Sequence, residues 1–129
     1  MPITEPSIDI AAPGLLIGLG IVLFILVVLL IVVIESAVLQ LMRWGEFKCS
    51  LVGAFWMNLA SSLVGLVFLL SIPRFGRWPL LIGWALTVVI EALVLMRLKP
   101  GARRHNWLVS VVANLASYLI VIVPATLVD

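Results

Sequence analysis

Residues 32–67 read VVIESAVLQLMRWGEFKCSLVGAFWMNLASSLVGLV, and residues 88–123 read VVIEALVLMRLKPGARRHNWLVSVVANLASYLIVIV. The two stretches align without a gap at an offset of 56 residues, and about a third of the aligned positions are identical. Each copy has one glutamate, Glu35 or Glu91, followed 23 residues later by Asn-Leu-Ala-Ser. Because apolar residues often match by chance and these rare polar residues do not, the pattern predicts an internal duplication.

The composition predicts an all-α integral membrane protein. The 129 residues are 64% hydrophobic and 11% charged, with a mean hydropathy of +1.32, whereas soluble domains carry about 25% charged residues. Apolar runs separated by short basic loops predict four transmembrane helices, at about 14–42, 49–71, 80–98 and 107–123. We expect a single membrane domain over residues 1–129, made of repeat 1 (about 14–71) and repeat 2 (about 80–129).

The segments between these runs are expected to be irregular. They are the proline-containing tail 1–13 and the loops 43–48, 72–79 and 99–106, while Pro124 is expected to end or kink the fourth helix. The first ten residues contain no lysine or arginine, which argues against a cleavable signal peptide. Trp44, Trp78 and Trp107 fall at predicted helix ends, where tryptophan commonly anchors a helix at the membrane interface.

The distribution of basic residues predicts how the chain crosses the membrane. The first and third loops with their flanks hold six basic residues, against two in the second loop, and the tails hold only acids. The six are Arg43, Lys48, Arg97, Lys99, Arg103 and Arg104. The positive-inside rule therefore places loops 43–48 and 99–106 in the cytoplasm of a multi-pass cell-membrane protein, with both termini non-cytoplasmic. Each repeat is then a helical hairpin, and the two hairpins form a parallel repeat.

The rare polar residues are expected to meet inside the bundle. Glu35 lies eight residues before Arg43, about 12 Å along a helix, and Asn58 lies ten residues after Lys48, about 15 Å. The second copy has nearly the same spacing, so each glutamate is expected to face the asparagine of its own hairpin or that of the other copy. A carboxylate in the bilayer centre costs about 2.5–3.5 kcal/mol, and a carboxamide supplies two N–H donors. The predicted intramembrane polar network is Glu35, Asn58, Ser61, Glu91, Asn114 and Ser117.

Two functions remain open at this stage. In the first, the chain is a non-catalytic scaffold or accessory subunit of a larger membrane complex or homo-oligomer, and its Glu–Asn pairs are interhelical hydrogen bonds. In the alternative, it is a small proton- or cation-coupled channel or transporter that uses Glu35 and Glu91. The expected partners are membrane lipids and other membrane subunits or further copies of the chain. Nucleic acid is not expected, since membrane topology already accounts for the basic residues.

Other classes of site are not expected. A single cysteine, Cys49, excludes an internal disulfide and a multi-cysteine metal site, and a single histidine, His105, excludes a bis-histidine haem within one chain. We predict no catalytic, cofactor-binding or metal-binding residues and no enzymatic activity. Cys49 is compatible with S-palmitoylation, and His105 is interpreted as a solvated interfacial residue. The third loop and its flanks offer possible contacts to lipid headgroups through Arg97, Lys99, Arg103 and Arg104.

Overall fold

A computed structural model describes residues 11–71 and 78–126 of the chain, and all of its regular structure is helical. The four long helices are α1 (Ala11–Leu41), α2 (Phe47–Ser71), α3 (Trp78–Leu98) and α4 (Arg103–Ser117). A π-helical turn, Tyr118–Ile122, joins α4 to the short helix α5 (Val123–Thr126). Four segments are long and apolar enough to cross a membrane, which indicates a membrane protein. They are Pro13–Leu41, Phe47–Val67, Leu81–Leu98 and Arg103–Ile122.

The helices form a closed ring in which each long helix packs against two neighbours. α1 contacts α2 and α4, and α3 contacts α2 and α4. The connection from α1 to α2 lies beside the connection from α3 to α4. Lys99 in the second connection donates a hydrogen bond from Nζ to the backbone carbonyl of Trp44 in the first. We call this end of the bundle the turn end, and the opposite end, at which α1 begins and α2 finishes, the terminal end.

The helix boundaries differ from the sequence-based expectation mainly at the third loop. That loop was expected over 99–106, but α4 begins at Arg103, so the connection shrinks to four residues. The first helix begins at Ala11, with Pro13 in its first turn, where the missing N–H of proline costs no hydrogen bond. α3 begins at Trp78 rather than near residue 80. The rest of the predicted tail and second loop, residues 1–10 and 72–77, lies outside the described residues.

Pro124 was predicted to end or kink the fourth helix, and the helical chain does not end there. The chain passes through the π-helical turn immediately before this proline and remains helical to Thr126. A proline has no N–H to donate to the preceding turn and its ring crowds that turn's carbonyl. A wider π-helical turn is one way of accommodating such a defect within a helix.

The two connections at the turn end have different backbone conformations. At the end of α1, Arg43 adopts a left-handed conformation (φ 57°), its N–H donates to Gln40 O at 2.9 Å, and the Trp44 N–H donates to Leu39 O at 2.8 Å. This pair of bonds is a Schellman motif, which satisfies carbonyls at a helix end and reverses the chain direction. At the end of α3, Gly101 takes the positive φ of 97°, which glycine adopts without a steric penalty.

The packed core occupies only the half of the bundle near the turn end. Its buried apolar side chains are Leu39, Trp44, Met57, Leu95, Val109 and Ala113. Trp44 fits there because α2 presents Gly53, where an added Cβ would stand 3.0 Å from Cζ3 of the indole. Among the described side chains, no position closer to the terminal end than Val32, Ser61, Val88 and Ser117 is buried. The predicted polar residues therefore lie at the side of this core that faces the terminal end.

Candidate functional site

The first half of the polar network joins α1 to α2. Asn58 donates an Nδ2–H to Glu35 Oε2 at 2.5 Å and another to the Ala54 carbonyl, one turn earlier in α2, at 2.9 Å. Both N–H groups of the carboxamide are thus used, which is the most that an asparagine can donate. The bond to Ala54 fixes the rotamer of Asn58, so the remaining N–H points at the carboxyl group on the neighbouring helix.

The second half of the network repeats this arrangement between α3 and α4. Asn114 donates to Glu91 Oε2 and to the Ser110 carbonyl, the latter at 3.0 Å. The sequence left open whether each glutamate faces the asparagine of its own hairpin or of the other copy. In the structure, both glutamates bind the asparagine of their own hairpin.

Two serines connect the halves across the hairpins. The Ser117 hydroxyl on α4 donates to Glu35 Oε1 on α1 at 2.9 Å. Ser61 on α2 lies beside the Glu91 carboxyl group on α3, within reach of a side-chain hydrogen bond, and its hydroxyl is 3.3 Å from the Asn58 carbonyl oxygen. Each carboxyl group therefore has polar neighbours from both hairpins. The two carboxyl groups are also near enough to repel each other when both are ionised.

Burial and the absence of a counter-charge define the electrostatics of this site. Glu35 is 1% exposed and Glu91 is 2% exposed. Within residues 11–71 and 78–126, no lysine or arginine acts on either carboxyl group. The buried carboxyl groups are therefore stabilised by hydroxyl and carboxamide dipoles instead of by a cation, as they would be in a buried ion pair. The charged form of either group remains expensive, and the hydrogen bonds compensate for the lost water.

Polar groups continue from Glu91 along α3 towards the terminal end. The Thr87 hydroxyl lies 2.7 Å from the Trp84 carbonyl oxygen and 3.3 Å from Oδ1 of Asn114. The indole Nε1–H of Trp84 is buried and has no hydrogen-bond partner among the described residues. Trp84, Thr87 and Glu91 lie three and four residues apart in turn, on one face of the helix. Neither Thr87 nor this role of Trp84 was predicted from the sequence.

A second polar cluster closes the turn end, and we call Trp44, Lys99 and Asn106 the turn-end cluster. Trp44 Nε1–H donates to Asn106 Oδ1 at 2.7 Å, and Asn106 Nδ2–H donates to the Lys99 carbonyl at 3.0 Å. The Lys99 ammonium group donates to the Trp44 carbonyl at 2.5 Å and stands 5.7 Å from the indole centroid. The cluster ties the first hairpin to the second at their closed ends.

The turn-end cluster corrects two expectations. Trp44 was expected to be an interface anchor, but only 4% of it is exposed, because Gly53 leaves room for the ring between the helices. Asn106 was placed in a loop, but it lies in the first turn of α4 and is fully buried. At the offset of 56 residues Asn106 aligns with Ser50, which is also polar and also buried, so this pair of polar residues was a signal in the sequence for the position.

The remaining predicted residues do not join either cluster. Arg97, Arg103 and Arg104 are exposed, and Cys49 is exposed in the first turn of α2. His105 is half-buried and helical rather than a loop residue. Trp107 is 39% exposed, and the side chain of Trp78 lies outside the described set. In the part of the chain that the structure describes, no three His, Cys, Asp or Glu side chains are grouped as a metal site would require.

Comparisons with known proteins find no relative of this chain. No protein-family model, no curated protein and no solved structure matches it. The fold alone therefore defines its class: a small all-helical protein whose four long helices have the length and composition of membrane spans.

Proposed function

We propose that this chain is a non-catalytic scaffold or accessory subunit of a larger membrane assembly, formed with other subunits or with further copies of itself. The observation that carries the proposal is the closed polar network, in which the hydrogen bonds that Glu35 and Glu91 accept from described residues all come from neighbouring helices. Such bonds hold helices together in a membrane, where lipid tails remove the hydrophobic driving force between helices. Exposures of only 1% for Glu35 and 2% for Glu91 are what is expected of groups that join helices rather than line an open path.

The proposal includes two parallel hairpins in the cell membrane, with the turn end cytoplasmic and both termini outside. The burial of paired positions supports the duplication. Glu35 and Glu91 are 1% and 2% exposed, Asn58 and Asn114 are 7% and 6% exposed, and Leu39 and Leu95 are both fully buried. Basic residues near both connections at the turn end support the cytoplasmic assignment, since positive loops remain on that side.

The first half of α1 is the surface that we assign to assembly. Every side chain from Pro13 to Val27 is exposed, and these fifteen residues make about four helical turns, so no face of this segment is covered by the other described residues. Gly14 and Gly18 lie one turn apart in it, and added Cβ atoms would meet nothing within 4 Å at either position. Small residues at this spacing let a second helix approach closely.

The test is to measure the mass of the tagged protein after extraction in a mild detergent. Native mass spectrometry is expected to show a homo-oligomer or a stoichiometric complex with other membrane chains. Gly18→Leu is expected to release the partner, because leucine would occupy the close contact. Gly65→Leu is the matched control, since an added Cβ at Gly65 also meets nothing within 4 Å and the position lies outside α1.

A monomer in every mild detergent would contradict the scaffold proposal itself. Equal loss of partner in the Gly18→Leu and Gly65→Leu proteins would instead remove α1 as the assembly surface. Far-UV circular dichroism of both variants checks that the bundle of each chain is intact.

A second candidate function is a proton- or cation-coupled channel or transporter. Two observations favour it: Glu35 and Glu91 are close enough to interact electrostatically, and polar groups extend from Glu91 through Thr87 to the indole N–H of Trp84, which has no partner among the described residues. Intramembrane carboxyl groups are frequent parts of proton and ion paths. A buried donor without a protein partner is also a place where a water molecule binds.

The two candidates predict opposite results in a flux assay. If the chain transports protons or cations, liposomes containing it should conduct faster than empty liposomes, and Glu35→Gln/Glu91→Gln should abolish the difference. Glutamine retains hydrogen-bonding groups for Asn58 and Asn114, so the variant is expected to fold. Glu46→Gln makes the same chemical change at an exposed position of the turn end and serves as the control. Flux in the double variant equal to that of the wild type would eliminate this candidate.

A further inference from the structure

A groove lies at the turn end of the second hairpin, outside both polar clusters. It is open to the surface and has a volume of about 420 Å³, between the last turns of α3, the Pro100–Gly101 turn and the start of α4. Arg97 and Arg103 both line it, and its other walls include the apolar side chains of Leu93 and Trp107. A groove that combines paired guanidinium groups with an apolar wall fits an amphiphilic anion.

The two arginines are available to such a ligand. Both are exposed, and no acidic side chain of the described residues forms an ion pair with either one. The described part of the chain has three acids, and two of them, Glu35 and Glu91, are enclosed in the polar network. Guanidinium groups present a planar fork of N–H donors that suits the oxygen atoms of a phosphate.

Neighbouring basic residues are arranged differently. The Lys99 ammonium group is directed to the Trp44 carbonyl and the indole ring, so it serves the turn-end cluster instead. Arg104 follows Arg103 in the sequence but does not line the groove. The sequence predicted four possible lipid contacts in this region. Only two of these four residues, Arg97 and Arg103, line the groove.

The apolar wall indicates that the anion carries an acyl chain. Leu93 is 52% exposed and Trp107 is 39% exposed, and both belong to segments that are candidate membrane spans. Leu93 lies four residues before Arg97 on α3, about 6 Å further into the span. A lipid with its phosphate at the arginines would therefore lay its tail along Leu93, whereas a free phosphate would leave this wall unused.

The site belongs to the second hairpin alone. At the offset of 56 residues, Leu41 and Phe47 occupy the positions of Arg97 and Arg103, and Leu51 replaces Trp107. The duplicated frame is the same, but the guanidinium pair and the indole are absent from the first copy. One site per chain is expected as a result.

From this arrangement we infer that the groove between α3 and α4 is a binding site for one anionic phospholipid, held by its phosphate between Arg97 and Arg103 and by its acyl chain along Leu93 and Trp107. Basic pockets between helices on the cytoplasmic side of a membrane commonly bind anionic headgroups. The inference depends on the proposed membrane placement of the turn end and not on the scaffold or transport role.

The inference is tested by titrating delipidated protein with phosphatidylglycerol or phosphatidylcholine and counting bound lipids by native mass spectrometry. One phosphatidylglycerol per chain is expected to bind at concentrations at which phosphatidylcholine does not. Arg97→Gln/Arg103→Gln is expected to weaken phosphatidylglycerol binding about 25-fold, since each basic residue near an anionic surface contributes about fivefold. Lys48→Gln/Arg104→Gln removes the same charge from the same end of the bundle and is expected to leave binding unchanged.

Three results would overturn the inference. Equal binding of the two lipids to the wild-type protein would do so without any variant. An equal loss of binding in both double variants would mean that charge at the turn end acts diffusely. Displacement of the lipid by glycerol phosphate at the lipid's own concentration would show a site for the anion alone, in which the apolar wall has no part.

Discussion

Trp44→Ala is expected to lower the free energy of unfolding of the bundle by about 3 kcal/mol, the scale of tryptophan truncation in a packed core. The substitution removes the ring that packs on Gly53 and leaves the Asn106 Oδ1 atom without its donor. It also removes the aromatic face over which the Lys99 ammonium group stands. The effect is measured by unfolding the protein reversibly in mixed micelles with increasing SDS and following the far-UV circular dichroism.

The control for this substitution is Trp56→Ala, which removes the same side chain from an exposed position of α2. Trp56 is 49% exposed and packs its ring edge against neighbouring Phe55 on the same helix. We expect it to change the unfolding free energy by less than about 1 kcal/mol. Equal effects of the two substitutions would mean that Trp44 does not tie the hairpins together.

Asn114→Leu is expected to destabilise the bundle by about 1–3 kcal/mol, because one oxygen of the buried Glu91 carboxyl group loses its hydrogen-bond donor. Leucine has the same number and branching of side-chain heavy atoms, so the loss is mainly one of polar contacts: the bonds to Glu91 and to the Ser110 carbonyl, and the contact with Thr87. Interhelical hydrogen bonds in membranes average only about 0.6 kcal/mol. Most of the expected effect therefore comes from the carboxyl oxygen that is left unsatisfied.

A double-mutant cycle separates these contributions. Glu91→Leu alone leaves Asn114 with an unused donor, and Glu91→Leu/Asn114→Leu replaces both partners by apolar groups. If the pair acts as interhelical glue, the double variant should be more stable than Asn114→Leu alone, since no unsatisfied carboxyl group remains. Additive losses in the cycle would show that the two side chains do not act on each other. The same unfolding measurement in mixed micelles serves for all four proteins.

Because of where the polar network lies, these stability measurements also test the two candidate functions. The network lies where the packed half of the bundle gives way to the half with exposed side chains. A network that only joins helices would change stability when altered and would leave flux at the level of empty liposomes. A network that carries protons or cations would lose flux in Glu35→Gln/Glu91→Gln while the fold remains. The stability and flux measurements together distinguish the two candidate functions.

Much of the candidate site could be predicted from the sequence because depth in a helix follows directly from residue spacing. The 23-residue interval between glutamate and asparagine places both at similar distances from the intervening loop, and the structure brings Glu35 to Asn58 and Glu91 to Asn114. The contacts between the two hairpins could not be predicted from residue spacing. Ser117 lies 82 residues from Glu35, and their contact depends on how α4 is rotated against α1.

The turn-end cluster could not be predicted from the sequence, for a different reason. A tryptophan at a helix end normally remains at the interface, and nothing local to Trp44 indicates that its ring turns inward. That orientation depends on the left-handed turn at Arg43 and on the space left by Gly53 on another helix. Asn106 escaped prediction for the related reason that Pro100 and Gly101 indicated a longer loop than the chain adopts.

The sequence by itself determined the four apolar segments, the duplicated polar pattern and the depth of each polar residue, because hydropathy and helical rise are properties of neighbouring residues. Only the tertiary structure decided which partners meet: each glutamate with the serine of the other hairpin, Trp44 with Asn106, and Arg97 with Arg103 around one groove. These contacts depend on helix rotation and on close approach at small residues. Both arise from packing four helices together, and residue spacing along one helix does not encode them.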